Sequence, residues 1–583
     1  MEKEQQIVKI RHSLAHVLAS AVMEFYPKTK LAIGPAIENG FYYDMALPAE
    51  ALREGGTDEF LQKLENRMKE LIKENQKFVG KKVSKLVAKK LFKNQPYKLE
   101  IIKELPGTTV GSYQNGNFLD LCKGGHVKNT SEINPNSFKL TKVAGAYWRG
   151  DEKNKMLTRI YGVAFEKEQE LTNYLTMLQE AEKRDHRILG QKLDLFVFSD
   201  LIGSGLPLFT PRGTIIRDLL DNYVWELRKT KGYQKVDIPH ITKKTLYEKS
   251  GHWDKFKDEL FRVTTREGHE FAIKPMNCPH HIQIFNRRKW SYKELPQRYA
   301  STTKVYRDEQ TGELFGLSRV RSLTQDDAHI FCSIDQVEQE LTNIWDIINT
   351  FYTSFGLKLS LRLSLRDKKK AKKYLGNPAT WNASEKIIKD LAKKMNIAFT
   401  EAEGEAAFYG PKLDFIATDS LARAWQVATI QLDMVQPERF NLKFIDSDGK
   451  ESNIIMIHAA IMGSIERFMS VVIEHYVGAF PLWLSPIQVA VIPISEKHIE
   501  YGNNIKEELE NKNIRVDFRN ENETLGKKIR AAEMEKTPYI IILGDKEVES
   551  QKISVRERGK GDLGQMDLHE FINVIDKRIQ DKT

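Results

Sequence analysis

The stretch from Val305 to Ile330, VYRDEQTGELFGLSRVRSLTQDDAHI, constrains the fold more than any other. An apolar-flanked run ends in Arg307 and Glu309, Thr311-Gly312 supplies a turn, and a second run extends from Ser318 to His329. This is the pattern of two antiparallel strands joined by a loop, which requires an antiparallel sheet around it. On the second strand a period of two puts Arg319, Arg321, Leu323, Gln325, Asp327 and His329 on one face. A solvated strand with charges interleaved against edge pairing accounts for that face. So does a site that holds polyphosphate beside an amino acid, with arginine gripping phosphate oxygens in pairs and Asp327 receiving an ammonium group. Spacing alone leaves both readings open.

A chain of 583 residues exceeds what one hydrophobic core supports, so several domains are expected. The first spans residues 1–165, mixing helix and strand, and a charged helical connector follows at 166–187. Residues 188–485 hold the hairpin and its companions. Residues 486–583 alternate β-rich runs (IRVDF, PYIIILG, ISVRER) with amphipathic helices, which suits a small α/β domain with a mixed or parallel sheet. Three cysteines, Cys122, Cys278 and Cys332, exclude a disulfide framework and point to a reducing compartment. The N-terminus has no apolar run and no segment reaches about 18 apolar residues, so a cytoplasmic protein without a membrane span is expected. The net charge of +10 fits a polyanionic partner without proving one, and general surface charge fits equally.

Three further constellations carry chemistry. A strand (454–457) runs into Gly463-Ser464 and a helix opening with Glu466-Arg467; the glycine allows close backbone approach, and Arg467 projects back over the strand end. His12 and His16 are i and i+4 on one helix face, and LDLCKGGHV supplies Asp120, Cys122 and His126. HxxxH with CxxxH is a fair zinc pattern. Cys278, His329 and His458 follow no ligand spacing, and by sequence rules alone they would ordinarily be inert.

GLSRVRSLTQDDAHIF resembles motif 2 of the class II aminoacyl-tRNA synthetases, in its threonyl form. RGDEKNKMLTRIYG (149–162), KPMNCP (274–279), FYGPKLDF (408–415), WQVATIQLD (425–433) and IHAAIMGSIERF (457–468) are similar to that family in the same order, so the resemblance covers essentially the whole chain. It implies a multidomain α+β/α/β fold: an antiparallel-sheet catalytic domain, an N-terminal α+β editing domain and a C-terminal α/β anticodon-binding domain. The implied activity is ATP-dependent ligation of L-threonine to tRNA(Thr) through threonyl-adenylate, with hydrolysis of seryl-tRNA(Thr). A non-catalytic or regulatory paralogue is the alternative; intact Arg307, Glu309, Arg319 and Arg467 speak against it.

By this resemblance Arg307 contacts the α-phosphate of ATP, Glu309 the adenine amino group and Arg319 the γ-phosphate, with Arg467 as its partner and Mg2+ accompanying the nucleotide. Cys278, His329 and His458 would hold one zinc ion per subunit with a fourth position open. Threonine can ligate such a metal through its amino and hydroxyl groups, whereas isosteric valine cannot, which discriminates far better than a hydrophobic pocket. Asp327 and Tyr409 match positions for the amino group, Gln325 and Gln431 complete the threonine pocket, and Lys412 and Gln426 face carboxylate and phosphate. Motif 1, near 218–239, would build a homodimer interface.

Zinc cannot exclude serine, so a second, hydrolytic site is expected. The resemblance places it at His12, His16, Asp120, Cys122 and His126, working without metal on a water molecule. Asn522, Lys536, Glu547 and Arg556 would read anticodon bases, and His252 would lie near the tRNA acceptor end. DNA is not an expected partner. The chain departs from the family at His280, where glycine is usual, at Ala459, where arginine is usual, and at Val427-Ala428 in WQVAT. It also begins close to the HSLAH helix, without the small ubiquitin-like domain that often precedes it.

Overall fold

The computed structural model describes residues 2–51, 56–151, 153–395, 397–419 and 423–582. It forms two compact units, Met1–Glu180 and Ala181–Thr583.

In the first unit the helix Glu2–Phe25 buries Leu14, Leu18, Ala21 and Val22 against an antiparallel sheet. That sheet runs in the order Lys30–Leu31, Gly40–Ala46, Met156–Ala164, Phe138–Tyr147, with Ala36–Ile37 also paired to Gly40–Ala46. The helix Gly56–Lys73 joins the same core through Phe60, Leu61, Leu64, Met68, Leu71 and Ile72, an apolar stripe at helical spacing. A separate antiparallel sheet, Phe78–Ser84, Thr109–Asn115 and Phe118–Leu121, carries Asp120 and delivers Cys122 and His126 in the loop that follows.

The centre of the second unit is an eight-stranded sheet. Its order is Gln234–Lys235, Gln297–Tyr306, Ser322–Cys332, Ile455–Ser464, Ala424–Asp433, Lys412–Thr418, Lys358–Leu365, Phe399–Glu403. Only the two outermost pairings are parallel. The helices Val337–Thr353 and Ile465–His475 bury Ile344, Ile348, Phe351, Phe468 and Val472 in the main core.

The hairpin forms, but its second strand begins at Ser322, not Ser318, and Arg319 and Arg321 belong to the loop rather than to the strand face. Their backbone donors are committed elsewhere. The Arg319 N–H donates to the Phe315 carbonyl, the Arg321 N–H to the Gly205 carbonyl and the Leu317 N–H to Nε2 of His186, which leaves no ladder to continue. The motif 1 helix starts at Pro211, earlier than 218, because Thr210 caps it at the Gly213 N–H and Pro211 occupies its first turn.

Pairing of Ser322–Cys332 with Ile455–Ser464 sets His329 opposite His458 and Asp327 opposite Ala460, then slips so that Gln325 faces Ser464. The N–H groups released by this bulge all reach one buried carboxylate: Asp326 accepts from Ile461, Met462 and Gly463 at 2.9, 3.1 and 2.9 Å. Gly463 takes φ 72°, and a Cβ there would stand 2.9 Å from the Val427 carbonyl oxygen, so glycine is required.

Residues beyond Pro486 form a mixed five-stranded sheet, ordered Val516–Phe518, Val489–Pro493, Tyr539–Leu543, Ile553–Glu557, Gly561–Met566. The first three strands are parallel and the last two pairings antiparallel, with the helices Ile499–Glu510, Leu525–Met534 and Leu568–Gln580 packed on them. Among the described residues no helix is long and apolar enough to cross a membrane.

Candidate active site and metal centre

Cys278, His329 and His458 come from three elements and converge. Cys278 opens the helix Cys278–Phe285, while His329 and His458 are cross-strand partners. One ligand atom from each lies within 4.8 Å of the others, all three side chains are buried, and His329 Nε2 faces His458 Nδ1 at 3.0 Å. The remaining imidazole nitrogens are held from behind. His458 Nε2 meets Asp433 Oδ2 at 2.8 Å, and His329 Nδ1 meets His281 Nδ1 at 2.8 Å, whose own Nε2 lies 3.0 Å from Ser301 Oγ. A soft sulfur, two imidazoles and a carboxylate behind one imidazole make a donor set that suits zinc. Burial, then the nearby Asp327 and Asp433, holds the Cys278 thiol well above its usual range, and burial holds His329 well below its own.

The side chains expected to receive the amino acid adjoin these three residues. Tyr409 stacks on His458 with ring centroids 4.8 Å apart, and its hydroxyl donates to Gln431 at 2.7 Å. Asp327 accepts from the Asn277 amide at 3.1 Å, and burial lifts its carboxyl to about 6 against the pull of His458 and Asn277. The buried side-chain amide oxygen of Gln325 has no hydrogen-bond partner among the described residues. His252 is fully buried rather than at a surface, with Nδ1 2.8 Å from Ser250 Oγ and Nε2 3.6 Å from Cys278 Sγ. His280 is buried too, and neither of its ring nitrogens has a partner.

A cleft of about 240 Å³ lies beside this pocket, lined by Arg307, Glu309, Arg319, Gln325, Gln426 and Arg467 among others. Arg319 pairs with Glu309 and Glu313 at 2.8 and 3.0 Å, and Arg467 Nε donates to the Ser318 carbonyl. Arg307 rests its guanidinium on Met276 Sδ and over the Phe256 ring, and its buried Nε has no hydrogen-bond partner among the described residues. Burial, then repulsion from Arg307 and Arg319, lowers the Arg467 pKa. Three guanidiniums against so little negative charge favour a polyanionic guest. Gln426 and Lys412 are both held by the buried Asp414: Gln426 donates to it at 2.9 Å and the Lys412 ammonium lies 3.2 Å away.

In the first unit Cys122 Sγ lies 3.2 Å from His126 Nε2 and 3.5 Å from His12 Nε2, and His12 stacks on His126. His16 Nε2 is 3.8 Å from Asp120. Asp120 is bound more closely by two groups that spacing did not single out, the Lys98 ammonium at 2.5 Å and the Tyr43 hydroxyl at 2.5 Å. A cleft of about 300 Å³, lined by Met23, Gln95, Lys98, Phe118 and Asp120 among others, opens onto this triad. Burial drives His16 down to about 4.

The four C-terminal candidates differ in setting. Asn522 is exposed in a turn; Lys536 follows the helix Leu525–Met534 at φ 61°; Arg556 is half-buried on Ile553–Glu557. Glu547 is largely committed inside the fold, accepting from the Gly544 N–H, Ser554 and Gln565.

Several supporting residues escaped sequence reasoning because their roles depend on tertiary packing. Asp433 and His281 brace His458 and His329, and only their adjacency to quoted motifs could have flagged them. His186 is fully buried: Nδ1 sits 2.7 Å from Glu474 on the helix Ile465–His475, and Nε2 accepts the Leu317 N–H at 3.0 Å. It ties the arginine-bearing loop to the helix of Arg467.

Comparison with known proteins agrees with this geometry. Residues 261–476 match the tRNA synthetase class II core domain (G, H, P, S and T), 488–578 the anticodon binding domain, and 110–161 the threonyl and alanyl tRNA synthetase second additional domain. Threonine–tRNA ligases of Thermotoga petrophila and Porphyromonas gingivalis are 47% and 46% identical, over 97% and 98% of this chain and 87% of each relative. Among solved structures, the RNA binding domain of threonyl-tRNA synthetase from Cryptosporidium parvum aligns with TM-score 0.65 and 34% identity over 67% of this chain and 98% of its own. A threonyl-tRNA synthetase from Aeropyrum pernix aligns with TM-score 0.60 and 30% identity, over 68% of this chain and 97% of its own. The chain belongs to the threonine–tRNA ligase family.

Proposed function

We propose that this protein ligates L-threonine to tRNA(Thr) in two steps. The threonine carboxylate attacks the α-phosphorus of ATP, forming threonyl-adenylate as the bond to pyrophosphate breaks. A ribose hydroxyl at the tRNA 3′ end then attacks the adenylate carbonyl, and AMP leaves. The observation that carries this reading is one strand, Ser322–Cys332, which presents Gln325 to the arginine-lined cleft and Asp327 and His329 to the buried donor set. Nucleotide and amino acid thus meet along a single backbone.

Arg307 and Arg467 hold the charge that develops on the α-phosphate, Glu309 and Arg319 position the adenine and γ-phosphate ends, and Gln426 is fixed for its contact by Asp414. Mg2+ enters with ATP. Asp327 and Tyr409 receive the substrate ammonium, Gln325 and Gln431 line the side-chain pocket, and Lys412 faces the carboxylate. Cys278, His329 and His458 would hold a zinc ion, which would supply a Lewis-acidic contact for the amino and hydroxyl groups that valine cannot satisfy.

Seryl-tRNA is cleared by hydrolysis at His12, His16, Cys122 and His126. Neutral imidazoles there orient a water molecule toward the ester carbonyl without a metal, and Asp120 acts through Lys98 and Tyr43. Asn522, Lys536, Glu547 and Arg556 read the anticodon, and His252 supports the acceptor end from beneath the metal site. The chain acts as a cytoplasmic homodimer. Exposed apolar residues Phe198, Leu201, Ile202 and Leu208 beside the motif 1 helix support that pairing, Leu201 being 98% exposed.

Amino-acid-dependent ATP–pyrophosphate exchange tests the reading. Exchange strong with threonine, weaker with serine, absent with valine and lost in Cys278→Ala is expected; exchange driven by a different amino acid would overturn it.

A further inference from the structure

Between Lys358–Leu365 and the helix Pro378–Lys394 the chain reads Asp367-Lys-Lys-Lys-Ala-Lys-Lys373, five lysines against one aspartate. Residues 368–373 are all exposed, yet they fold into two short 3-10 turns that meet at a kink at Lys370, where φ −113° and ψ 47° are not helical. The Asp367 carboxylate accepts the Lys369 N–H at 2.9 Å, and the Asp367 N–H donates to the Tyr374 hydroxyl at 3.0 Å. Lys373 Nζ donates to the Gly404 carbonyl at 2.6 Å, and Lys255 Nζ to the Lys372 carbonyl at 3.0 Å. The only ion pair inside the run, Lys370 with Asp367 at 3.6 Å, is long. Among the described residues Lys368, Lys369 and Lys372 have no side-chain partner. Like charges this close lie well within a Debye length of about 8 Å and repel. A merely solvated run would relieve that repulsion by extending; here neighbouring groups hold it in a tight turn.

Its position says what it faces. Two residues on, the Leu375 N–H donates to the Phe408 carbonyl at 2.7 Å, next to Tyr409 of the amino-acid pocket. Leu375 Cδ1 also abuts Gly251, where a Cβ would come within 2.8 Å, and Gly251 leads directly into the buried His252. Exposed Lys249, Lys255 and Lys257 lie along that side, interleaved with exposed Glu248, Asp254, Asp258 and Glu259, so the excess positive charge is concentrated in the run itself. The run is anchored to both walls of the site, outside the arginine-lined cleft.

We propose that the lysine turn at 368–373 is a clamp for the phosphate backbone of the RNA whose 3′ end enters the site, a role that rests on the ligase reading above. Lysines act here as point charges, giving affinity and register without sequence readout.

The test is a triple variant, Lys368→Ala, Lys369→Ala and Lys372→Ala, with the corresponding triple arginine variant as the charge-retaining control. Threonine-dependent ATP–pyrophosphate exchange needs no RNA and is expected to stay within about twofold of the parent. In aminoacylation the KM for tRNA is expected to rise about tenfold at low salt. The slope of its logarithm against log salt, between about 50 and 200 mM KCl, is expected to become shallower by about one per lost lysine. Arginine should restore both. Normal exchange with an unchanged KM and salt slope overturns the clamp and leaves the ligase reading intact. A loss of exchange in the alanine variant equally overturns it, by showing that the run serves the nucleotide step. No threonine-dependent exchange in the parent overturns the ligase reading itself, and the salt slope of direct tRNA binding still decides the clamp.

Discussion

The Nε2 atom of His458 lies 2.8 Å from the fully buried Oδ2 of Asp433, while the other Asp433 oxygen accepts the N–H groups of Val435 and Gln436 at 2.8 Å each. One carboxylate thereby fixes the ring of His458, a proposed zinc ligand, and starts the short helix Val435–Arg439. Asp433→Asn keeps the shape and loses the charge. Zinc affinity, measured by competition with a chromophoric chelator, is expected to fall by about 10- to 100-fold. An unchanged affinity would show that His458 is oriented by packing on Tyr409 alone.

Zinc loading is expected to depend on pH with a definite sign. Burial keeps the Cys278 thiol protonated through the neutral range and keeps His329 unprotonated, so loading expels the thiol proton and none from His329. Apparent affinity should rise about tenfold per pH unit between roughly pH 6.5 and 8. A flat profile would mean that the sulfur is not a ligand.

His186 bridges the loop of Arg319 to the helix of Arg467 through Leu317 and Glu474. His186→Ala leaves the buried Leu317 N–H unpaired at a cost of about 1–3 kcal/mol and loosens the loop. The KM for ATP in pyrophosphate exchange is expected to rise about tenfold or more, with the KM for threonine little changed. A fall in apparent kcat with both KM values unchanged would point to loss of folded enzyme instead.

Lys98 and Asp120 are paired at 2.5 Å with almost no exposure. Asp120→Ala strands a buried ammonium and is expected to cost about 3–5 kcal/mol, whereas Lys98→Met with Asp120→Leu should cost much less. Thermal unfolding of the intact chain reads this out as loss of the first unit's transition. Comparable melting of the two variants would mean that water already screens the pair.

On the proposed reading His16 is a base for seryl-tRNA hydrolysis and must be neutral, and burial holds it down to about 4. Activity that depends on this base is present above its pKa and lost as pH falls through it. A rate flat from about pH 6 to 8 is therefore expected. A midpoint near 6.5, the ordinary histidine value, would show that a solvated imidazole does the work.

The sequence made the central hairpin legible because alternation along Leu323, Gln325, Asp327 and His329 reports a strand directly. It misassigned Arg319 and Arg321 because nothing local shows that Gly205 and His186, far away in the chain, capture their loop's backbone donors. The donor set Cys278, His329 and His458 was invisible to spacing rules, since its members meet only through strand pairing and one helix N-terminus; family resemblance brought it forward. Lys98 and Tyr43 lay outside any pattern, because a buried lysine is recognised by its partner and not by its neighbours in sequence.

The bulge at Asp326 has an implication for how this enzyme can change. Around it, the face on which a side chain emerges is decided by counting residues, not by their identity. Removing one residue between Asp327 and His329, or between His458 and Gly463, would exchange inward and outward positions in everything beyond it and turn a ligand away from its partners. Outward-facing side chains here can be varied singly, whereas length cannot. Insertions and deletions that the distant loops absorb should be absent from this pair of strands in any working descendant of the chain.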